Sequence, residues 1–208
     1  MARAPLIAIE GLDRTGKTTQ TSKLLSHLTS SKVKNRLIKF PDRTTPIGQL
    51  INKYLTDKQF ELSDQSAHLL FSANRWELYT EIINSLTKES TAVVLDRYVY
   101  SGVAYSAAKG LDFQWCLNPD VGMPKPDVTI FLKLKDSKAT SKREGYGDER
   151  YEVVEFQDKV RFQFEKFENE SNWHDIYVDG KGIEEVEREI WSVIEPYING
   201  VEEDLHKF

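Results

Sequence analysis

The residues best suited to chemistry stand near the start of the chain. Residues 11–18 read G-L-D-R-T-G-K-T, which matches the phosphate-binding pattern G-x-x-x-x-G-K-[ST]. Its small glycines let main-chain N–H groups approach phosphate oxygens, its lysine reaches the terminal phosphates, and the next hydroxyl ligates Mg²⁺. We therefore predict a site for a nucleoside triphosphate with Mg²⁺, formed by Gly11, Leu12, Asp13, Arg14, Thr15, Gly16, Lys17, Thr18 and Thr19.

The segments on either side of this loop fit the same interpretation. Residues 6–9 form an apolar run long enough for a buried strand, and Leu24, Leu25 and Leu28 recur at helical spacing after the loop. A helix that starts here adds the positive end of its dipole to the phosphate site. The alternative, an accidental glycine turn, would not require a strand before it and a helix after it.

The rest of the chain alternates predicted strands with predicted helices. Further strands are expected at 36–40, 92–95, 128–132 and 176–178, and further helices at 47–55, 63–86, 101–109, 152–168 and 183–194. This order predicts an α/β fold, a five-stranded parallel sheet flanked by helices on both faces. We expect one domain over 1–208, a lid at about 136–150 and a loose tail after Gly200.

Composition excludes several classes of protein. The net charge of −5 over 208 residues does not favour nucleic acid as a partner. No apolar stretch approaches the length of a membrane span, and the first ten residues do not read as a signal peptide. The single cysteine, Cys116, rules out an internal disulfide and suits a reducing compartment. We expect the cytoplasm as the location and leave the nucleus open.

A second group of cations favours a kinase over other proteins that have a phosphate loop. The guanine-reading pattern N-K-x-D is missing, because residues 52–55 read N-K-Y-L within an amphipathic helix. A kinase needs a second anion site beside the first. Any one arginine is more often a surface residue than a ligand. The arginines that follow predicted strands or lie in glycine-containing loops nevertheless favour such a site; the candidates are Arg14, Arg43, Arg75, Arg97, Arg143 and Arg150.

With these residues in place, the sequence resembles the thymidylate kinases of eukaryotic type within the P-loop nucleoside monophosphate kinases, and most of all their fungal members. The resemblance extends from residue 6 to about residue 160 in the order of the family, whereas the last forty residues match only in pattern. The matching segments are residues 11–20, 40–43, 68–76, 96–105, 124–127 and 147–152.

The resemblance implies transfer of the γ-phosphate of ATP to dTMP, giving dTDP, with Mg²⁺. It makes Arg14 an arginine finger in cis beside Lys17, and it assigns the metal to Thr18 and to Asp96, the latter through water. Asp96 as a helix cap is the alternative. Further ATP contacts are implied for Arg143, Arg150 and Lys181.

The resemblance also assigns the acceptor site. Phe71 stacks on thymine, Arg75 bonds the carbonyl edge of the base, and Tyr105 crowds the 2′ position; for Phe71 and Tyr105, plain packing is the alternative. Arg97 is catalytic and holds the 5′-phosphate with Arg43. The remaining acceptor residues are Asp13, which accepts from the 3′-hydroxyl, and Phe40, Ser101, Gly102 and Tyr151.

Two alternatives to this function remain open. One is a kinase of another nucleoside monophosphate or of several. The other is a nucleotide-gated binding protein that phosphorylates no small molecule. The resemblance also implies a homodimer, and the apolar faces of helices 44–56 and 63–87 could serve either its interface or an ordinary core.

Overall fold

In the computed structural model, which describes residues 2–135, 150–151 and 153–208, the strands form one parallel sheet. Its order is β2-β3-β1-β4-β5. The three central strands are buried on both faces, which explains their nearly continuous apolar sequences. The strands are β1 (Leu6–Gly11), β2 (Asn35–Lys39), β3 (Ala92–Asp96), β4 (Val128–Lys133) and β5 (Trp173–Tyr177).

Helices cover both faces of the sheet. They are α1 (Lys17–Ser30), α2 (Pro46–Thr56), α3 (Asp64–Glu77), α4 (Tyr79–Thr87), α5 (Val99–Ala107), α6 (Phe113–Leu117), α7 (Val154–Phe164) and α8 (Ile183–Ile194). Short 3₁₀ turns follow α6, α7 and α8 at Asn118–Asp120, Glu165–Phe167 and Glu195–Tyr197.

Side chains of each strand alternate between two cores. On β1, Ile7 and Ile9 pack with α1 and α8, whereas Leu6 and Ala8 pack with α4, α5 and α7. A smaller cluster joins α2 to α3. The predicted fold class is therefore confirmed, and the phosphate loop leaves β1 at the carboxyl edge of the sheet.

The single helix predicted over residues 63–86 is two helices, α3 and α4. Ser63 caps the first as expected, because its Oγ accepts from the Ser66 N–H at 3.1 Å. The helical path changes at Leu78, which ends α3 and precedes α4. Neither glycine nor proline marks the break, so the local sequence gave no signal. The change of direction lets α3 pack on α2 and α5 while α4 packs on β3.

The prediction of a loose tail after Gly200 is wrong. Val201 forms an antiparallel bridge with Arg3, and the Phe208 N–H donates to the Met123 carbonyl at 3.0 Å. The Phe208 ring packs against Tyr98 and Tyr100, with ring centroids 6.0 and 5.2 Å away. These contacts join the tail to the N-terminal segment, to the loop before β4 and to the start of α5.

The last strand is longer than predicted. It begins at Trp173 rather than at residue 176. The prediction was too short because β5 lies at the edge of the sheet, where polar His174 and Asp175 interrupt the apolar pattern. Asp175 accepts from Lys133 of β4 at 2.7 Å. The predicted lid at 136–150 lies outside the described residues except for Arg150.

Candidate active site

The phosphate loop has the backbone that its sequence predicts. Gly11 has φ +153°, and a Cβ there would lie 2.7 Å from Thr15 Oγ1 and 3.0 Å from the Leu132 carbonyl. Gly16 has φ +98° and stands directly before α1, so the loop ends at the N–H groups of the first helical turn. Arg14 also has a positive φ, +64°. Such a conformation is uncommon for a residue with a side chain and clusters at functional sites.

Lys17 lies inside the loop, with 7% of its surface exposed. Its Nζ donates to the Leu12 carbonyl at 2.5 Å. Burial lowers the pKa of Lys17 to about 7, and the charge of Arg97 adds to this effect against the pull of nearby carboxylates. The ammonium is thus poorly compensated before a phosphate arrives.

Arg97 connects the phosphate loop to the loop after β3. It has φ +64°, and its Nη1 donates to the Gly11 carbonyl at 3.1 Å. Its Nη2 donates to Asp13, whose other carboxylate oxygen accepts from Gln157 Nε2 at 2.7 Å. Burial alone would raise the pKa of Asp13, but the charges of Arg97 and Lys17 hold it below its ordinary value. Asp13 therefore stays ionised beside both cations.

Two cavities meet at this arginine. The first is a groove along the phosphate loop, which is also lined by Asp96. The second is a cleft of about 760 Å³, including space open to solvent, which matches the size of a small-molecule site. The groove and the cleft share one wall, formed by Asp13, Phe40, Pro41, Arg43 and Arg97.

The far end of the cleft is formed by α3 and α5. Arg75 is buried there, paired with Asp120. Its guanidinium lies against Gly102, where a Cβ would stand 2.6 Å from Nη1. Phe71 lines the same cleft and also packs with the α2–α3 cluster, and its stacking on the base stays a prediction.

Aromatic rings close the side of the cleft. Tyr105 and Tyr151 have ring centroids 5.7 Å apart, and Arg97 lies 5.3 Å from the Tyr105 ring. Ser101 lines the cleft beside them. The structure thus brings together two adjoining sites, one with a phosphate loop and one with aromatic walls, across a pair of arginines.

Comparison with known proteins agrees with this geometry. Residues 9–190 match the family model for thymidylate kinase. The chain is 51% identical to the thymidylate kinase of Schizosaccharomyces pombe, over 81% of this chain and 79% of the relative, and 45% identical to that of Danio rerio, over 97% and 94%. The solved structure of thymidylate kinase from Candida albicans superposes with a TM-score of 0.89 at 46% identity, covering 100% and 99%.

This chain belongs to the thymidylate kinase family. The family, the P-loop nucleoside monophosphate kinase fold and the class of phosphotransferase predicted from the sequence are therefore confirmed. Among the described residues, no helix is both long and apolar enough to cross a membrane.

The residues predicted for Mg²⁺ share the phosphate groove. Thr18 and Asp96 both line it, one from the start of α1 and the other from the end of β3. A hydroxyl and a carboxylate are the oxygen ligands that Mg²⁺ prefers, and this ion usually keeps waters and binds substrate phosphates as well. The two side chains fit such an ion.

Two residues predicted to contact ATP, Arg150 and Lys181, lie away from the phosphate groove. The Arg150 guanidinium lies over the Tyr54 ring at 4.5 Å and donates to the Tyr54 carbonyl at 3.0 Å, beyond the two cavities. Lys181 pairs with Glu189 of α8 at 2.6 Å, also beyond them. Arg143 lies outside the described residues. Their roles in ATP binding stay predictions.

Sequence reasoning missed three residues of the site. Glu10 is fully buried, and its carboxylate accepts from the Tyr98 N–H at 2.8 Å and from the Ser101 hydroxyl at 2.5 Å. Burial raises the pKa of Glu10. Its signal was an acidic residue at the end of an apolar strand. Gln157 and Asp120 lie outside the matching segments, and no local pattern distinguished them.

Proposed function

We propose that this chain binds ATP along the phosphate loop and dTMP in the cleft, with the two reacting phosphates facing each other at Arg97. The observation that carries the proposal is the shared wall of groove and cleft, which contains Arg43 and Arg97. Two anions that both contact these shared residues, one from the groove and one from the cleft, would meet end to end. Transfer then forms a bond from a dTMP phosphate oxygen to the γ-phosphorus and breaks the bond to the β–γ bridging oxygen.

The chemistry needs little beyond positioning and charge. A nucleotide 5′-phosphate has a second pKa near 6, so it is mostly dianionic at neutral pH and requires no general base. Mg²⁺, held by Thr18 and by Asp96 through water, would neutralise charge on the β- and γ-phosphates. The remaining work is to align the acceptor with the γ-phosphorus and to stabilise the moving phosphoryl group.

Four cations of the chain are suited to that work. Lys17 would contact the β- and γ-phosphates, and Arg97 with Arg43 would hold the acceptor phosphate. Arg14 would act as an arginine finger in cis, a role worth ~10³-fold or more in rate in related chemistry. Lys17→Ala should abolish turnover while the thermal unfolding midpoint stays close to that of the parent enzyme. Turnover near the parent rate would contradict the role of Lys17.

The cleft residues would select the acceptor. Phe71 would stack on the base, Arg75 would bond its carbonyl edge, and Tyr105 would crowd a 2′-hydroxyl. A pocket that encloses the thymine methyl gains about 1–3 kcal/mol from it, so dUMP should be the poorer substrate. Equal kcat/KM for dUMP and dTMP would remove this claim.

A second candidate is broader acceptor use. The Candida albicans thymidylate kinase, with 46% identity to this chain, is described as having broad substrate specificity. An assay that couples ADP production to NADH oxidation, run with Mg-ATP and a panel of nucleoside monophosphates, separates the two candidates. Activity confined to dTMP supports the first, activity with several acceptors supports the second, and ATP hydrolysis that no acceptor stimulates would refute both in favour of a nucleotide-gated binding protein.

We also propose a homodimer in the cytoplasm. On α2 and α3, the large apolar side chains of Leu50, Leu69 and Trp76 are 47%, 46% and 38% exposed. Apolar area of this kind is typical of an interface. Sedimentation equilibrium should give twice the mass of 24.0 kDa, and a monomer at micromolar concentration would refute the dimer. Cell fractionation would test the location.

A further inference from the structure

The far end of the cleft, formed by α3 and α5, contains a buried ion pair between Arg75 and Asp120, and the proposed function gives Asp120 no role. Arg75 is 2% exposed and Asp120 is fully buried. Arg75 Nε donates to Asp120 Oδ1 at 2.9 Å, and Nη2 donates to Oδ2 at 2.5 Å. This paired geometry fixes both the position and the plane of a guanidinium. The Ser72 hydroxyl donates to the same Oδ1 at 3.0 Å.

The pair leaves one nitrogen of Arg75 for another partner. Among the described residues, Nη1 has no hydrogen-bond acceptor, and it lies where a Cβ on Gly102 would be 2.6 Å away. Arg75 and Gly102 both line the cleft. A guanidinium held by its other two nitrogens can therefore present Nη1–H groups to a ligand without further rearrangement.

Asp120 is held in place independently of the cleft. It belongs to the 3₁₀ turn Asn118–Asp120, between α6 and β4, and does not line the cavity. The Met123 N–H donates to its carbonyl at 2.9 Å, and Trp76 Nε1 donates to the Pro119 carbonyl at 2.8 Å. The turn is thus a rigid support beneath Arg75.

Because of this pair, the two ends of the cleft differ in net charge. Arg75 and Asp120 together carry no net charge, whereas the opposite end and the adjoining groove contain four cations against three carboxyl groups: Arg14, Lys17, Arg43 and Arg97 against Glu10, Asp13 and Asp96. A phosphate is attracted to the end with excess positive charge. The neutral end instead favours an uncharged hydrogen-bond acceptor, such as a ring carbonyl oxygen.

We propose that Asp120 is a positioning residue that sets the base selectivity of this enzyme. It aims Arg75 Nη1–H at a carbonyl on the acceptor base and cancels the arginine charge. The pocket then selects a pyrimidine with a carbonyl at this edge over one with an amino group, whose N–H would face another donor. The inference rests on the proposed function in one respect, the contact of Arg75 with the base.

The test compares dTMP with dCMP in Asp120→Asn, with Ser72→Ala as the matched control. The amide keeps the size of Asp120 but removes the charge and one acceptor. We expect KM for dTMP to rise about tenfold or more and the dTMP/dCMP ratio of kcat/KM to fall by a similar factor, with kcat and the KM for ATP nearly unchanged. Ser72→Ala keeps both Arg75 bonds to Asp120 and should leave the ratio within about threefold.

A merely structural role would lower kcat/KM for both acceptors alike, and an unchanged ratio in Asp120→Asn would overturn the proposal. Arg75→Met distinguishes an error about Asp120 from an error about the acceptor site. If Arg75→Met reduces the ratio but Asp120→Asn does not, the role of Asp120 is wrong. If Arg75→Met leaves the ratio unchanged, Arg75 does not contact the base and the proposed acceptor site is wrong as well.

A measurement on the unmodified protein covers the case in which Asp120→Asn does not fold. In ¹⁵N NMR spectra without nucleotide, the Arg75 Nε–H should already be protected from exchange with water, because Asp120 holds it before the acceptor binds. Addition of dTMP should then shift the Arg75 resonance without a further gain in protection. Rapid exchange that slows only after dTMP is added would overturn the proposal.

Discussion

ATP binding should take up a proton through Lys17. In the free protein, burial lowers the pKa of this lysine to about 7 from an ordinary value of 10.5. The phosphates of ATP bring several negative charges to its Nζ and favour the ammonium form, so its pKa in the complex should return toward the ordinary value. A proton is then bound to the extent that the free lysine has lost one, which is mostly above pH 7.

The expected size follows from the two pKa values. At pH 8 the free lysine is about one-tenth protonated and the bound lysine fully so, which gives an uptake of about 0.9 proton. At pH 6 the uptake falls to about 0.1 proton. The linkage also weakens ATP binding as pH rises, by about tenfold between pH 6 and pH 8.

Isothermal titration calorimetry measures this uptake directly. Mg-ATP without acceptor is titrated at each pH in two buffers of different ionisation enthalpy, and the difference in binding enthalpy gives the number of protons. Lys17→Arg is the matched control, because arginine stays protonated throughout this range and should show no uptake. Uptake in the parent enzyme that is equal at pH 6 and pH 8, or that persists in Lys17→Arg, would refute the reasoning.

Three further substitutions have clear expected outcomes. Gly102→Ala should raise KM for dTMP about 10- to 100-fold, because the added methyl would displace the Arg75 guanidinium and cost about 1.5–3 kcal/mol. Gly182→Ala is the control and should leave KM for dTMP unchanged, because a Cβ there meets open space. Glu10→Gln should lower the free energy of unfolding by about 1–3 kcal/mol and raise KM for dTMP, because the amide keeps an oxygen for the Tyr98 and Ser101 N–H groups but loses the oxygen that accepts from the Ser101 hydroxyl. Urea titration and initial rates would show this, and parent values would contradict it. Arg3→Ala should cost about 3 kcal/mol of stability at unchanged kcat, because it leaves the buried Asp127 carboxylate without its ion pair; a loss below 1 kcal/mol would contradict that.

The sheet was predictable because strands that are buried on both faces have mostly apolar sequences. The central strands are mostly apolar, and α8 carries one clear apolar stripe, so both were found with nearly correct limits. The edge strand β5 was found short because its polar residues break the pattern. The junction at Leu78 and the docked tail depend on tertiary packing, which local propensity does not report.

The site divides in the same way. The phosphate loop was predictable because its backbone requires glycines at fixed positions, and Arg97 because it follows a buried strand. Asp120 and Gln157 were not, because their contacts join segments far apart in sequence: Asp120 lies 45 residues from Arg75 and Gln157 lies 144 residues from Asp13. Glu10 could have been found, since an acidic residue that extends a buried strand requires partners.

The most direct test of the account is a crystal structure with dTMP, Mg²⁺ and a non-hydrolysable ATP analogue. We predict that Arg97 contacts a dTMP phosphate oxygen, and Lys17 a γ-phosphate oxygen, at charge-assisted hydrogen-bond distances of about 2.7–2.9 Å. The two phosphates should face each other where the groove and the cleft meet, beside the residues that line both. A dTMP phosphate bound at the Arg75 end, or with Arg97 turned away from both ligands, would contradict the account.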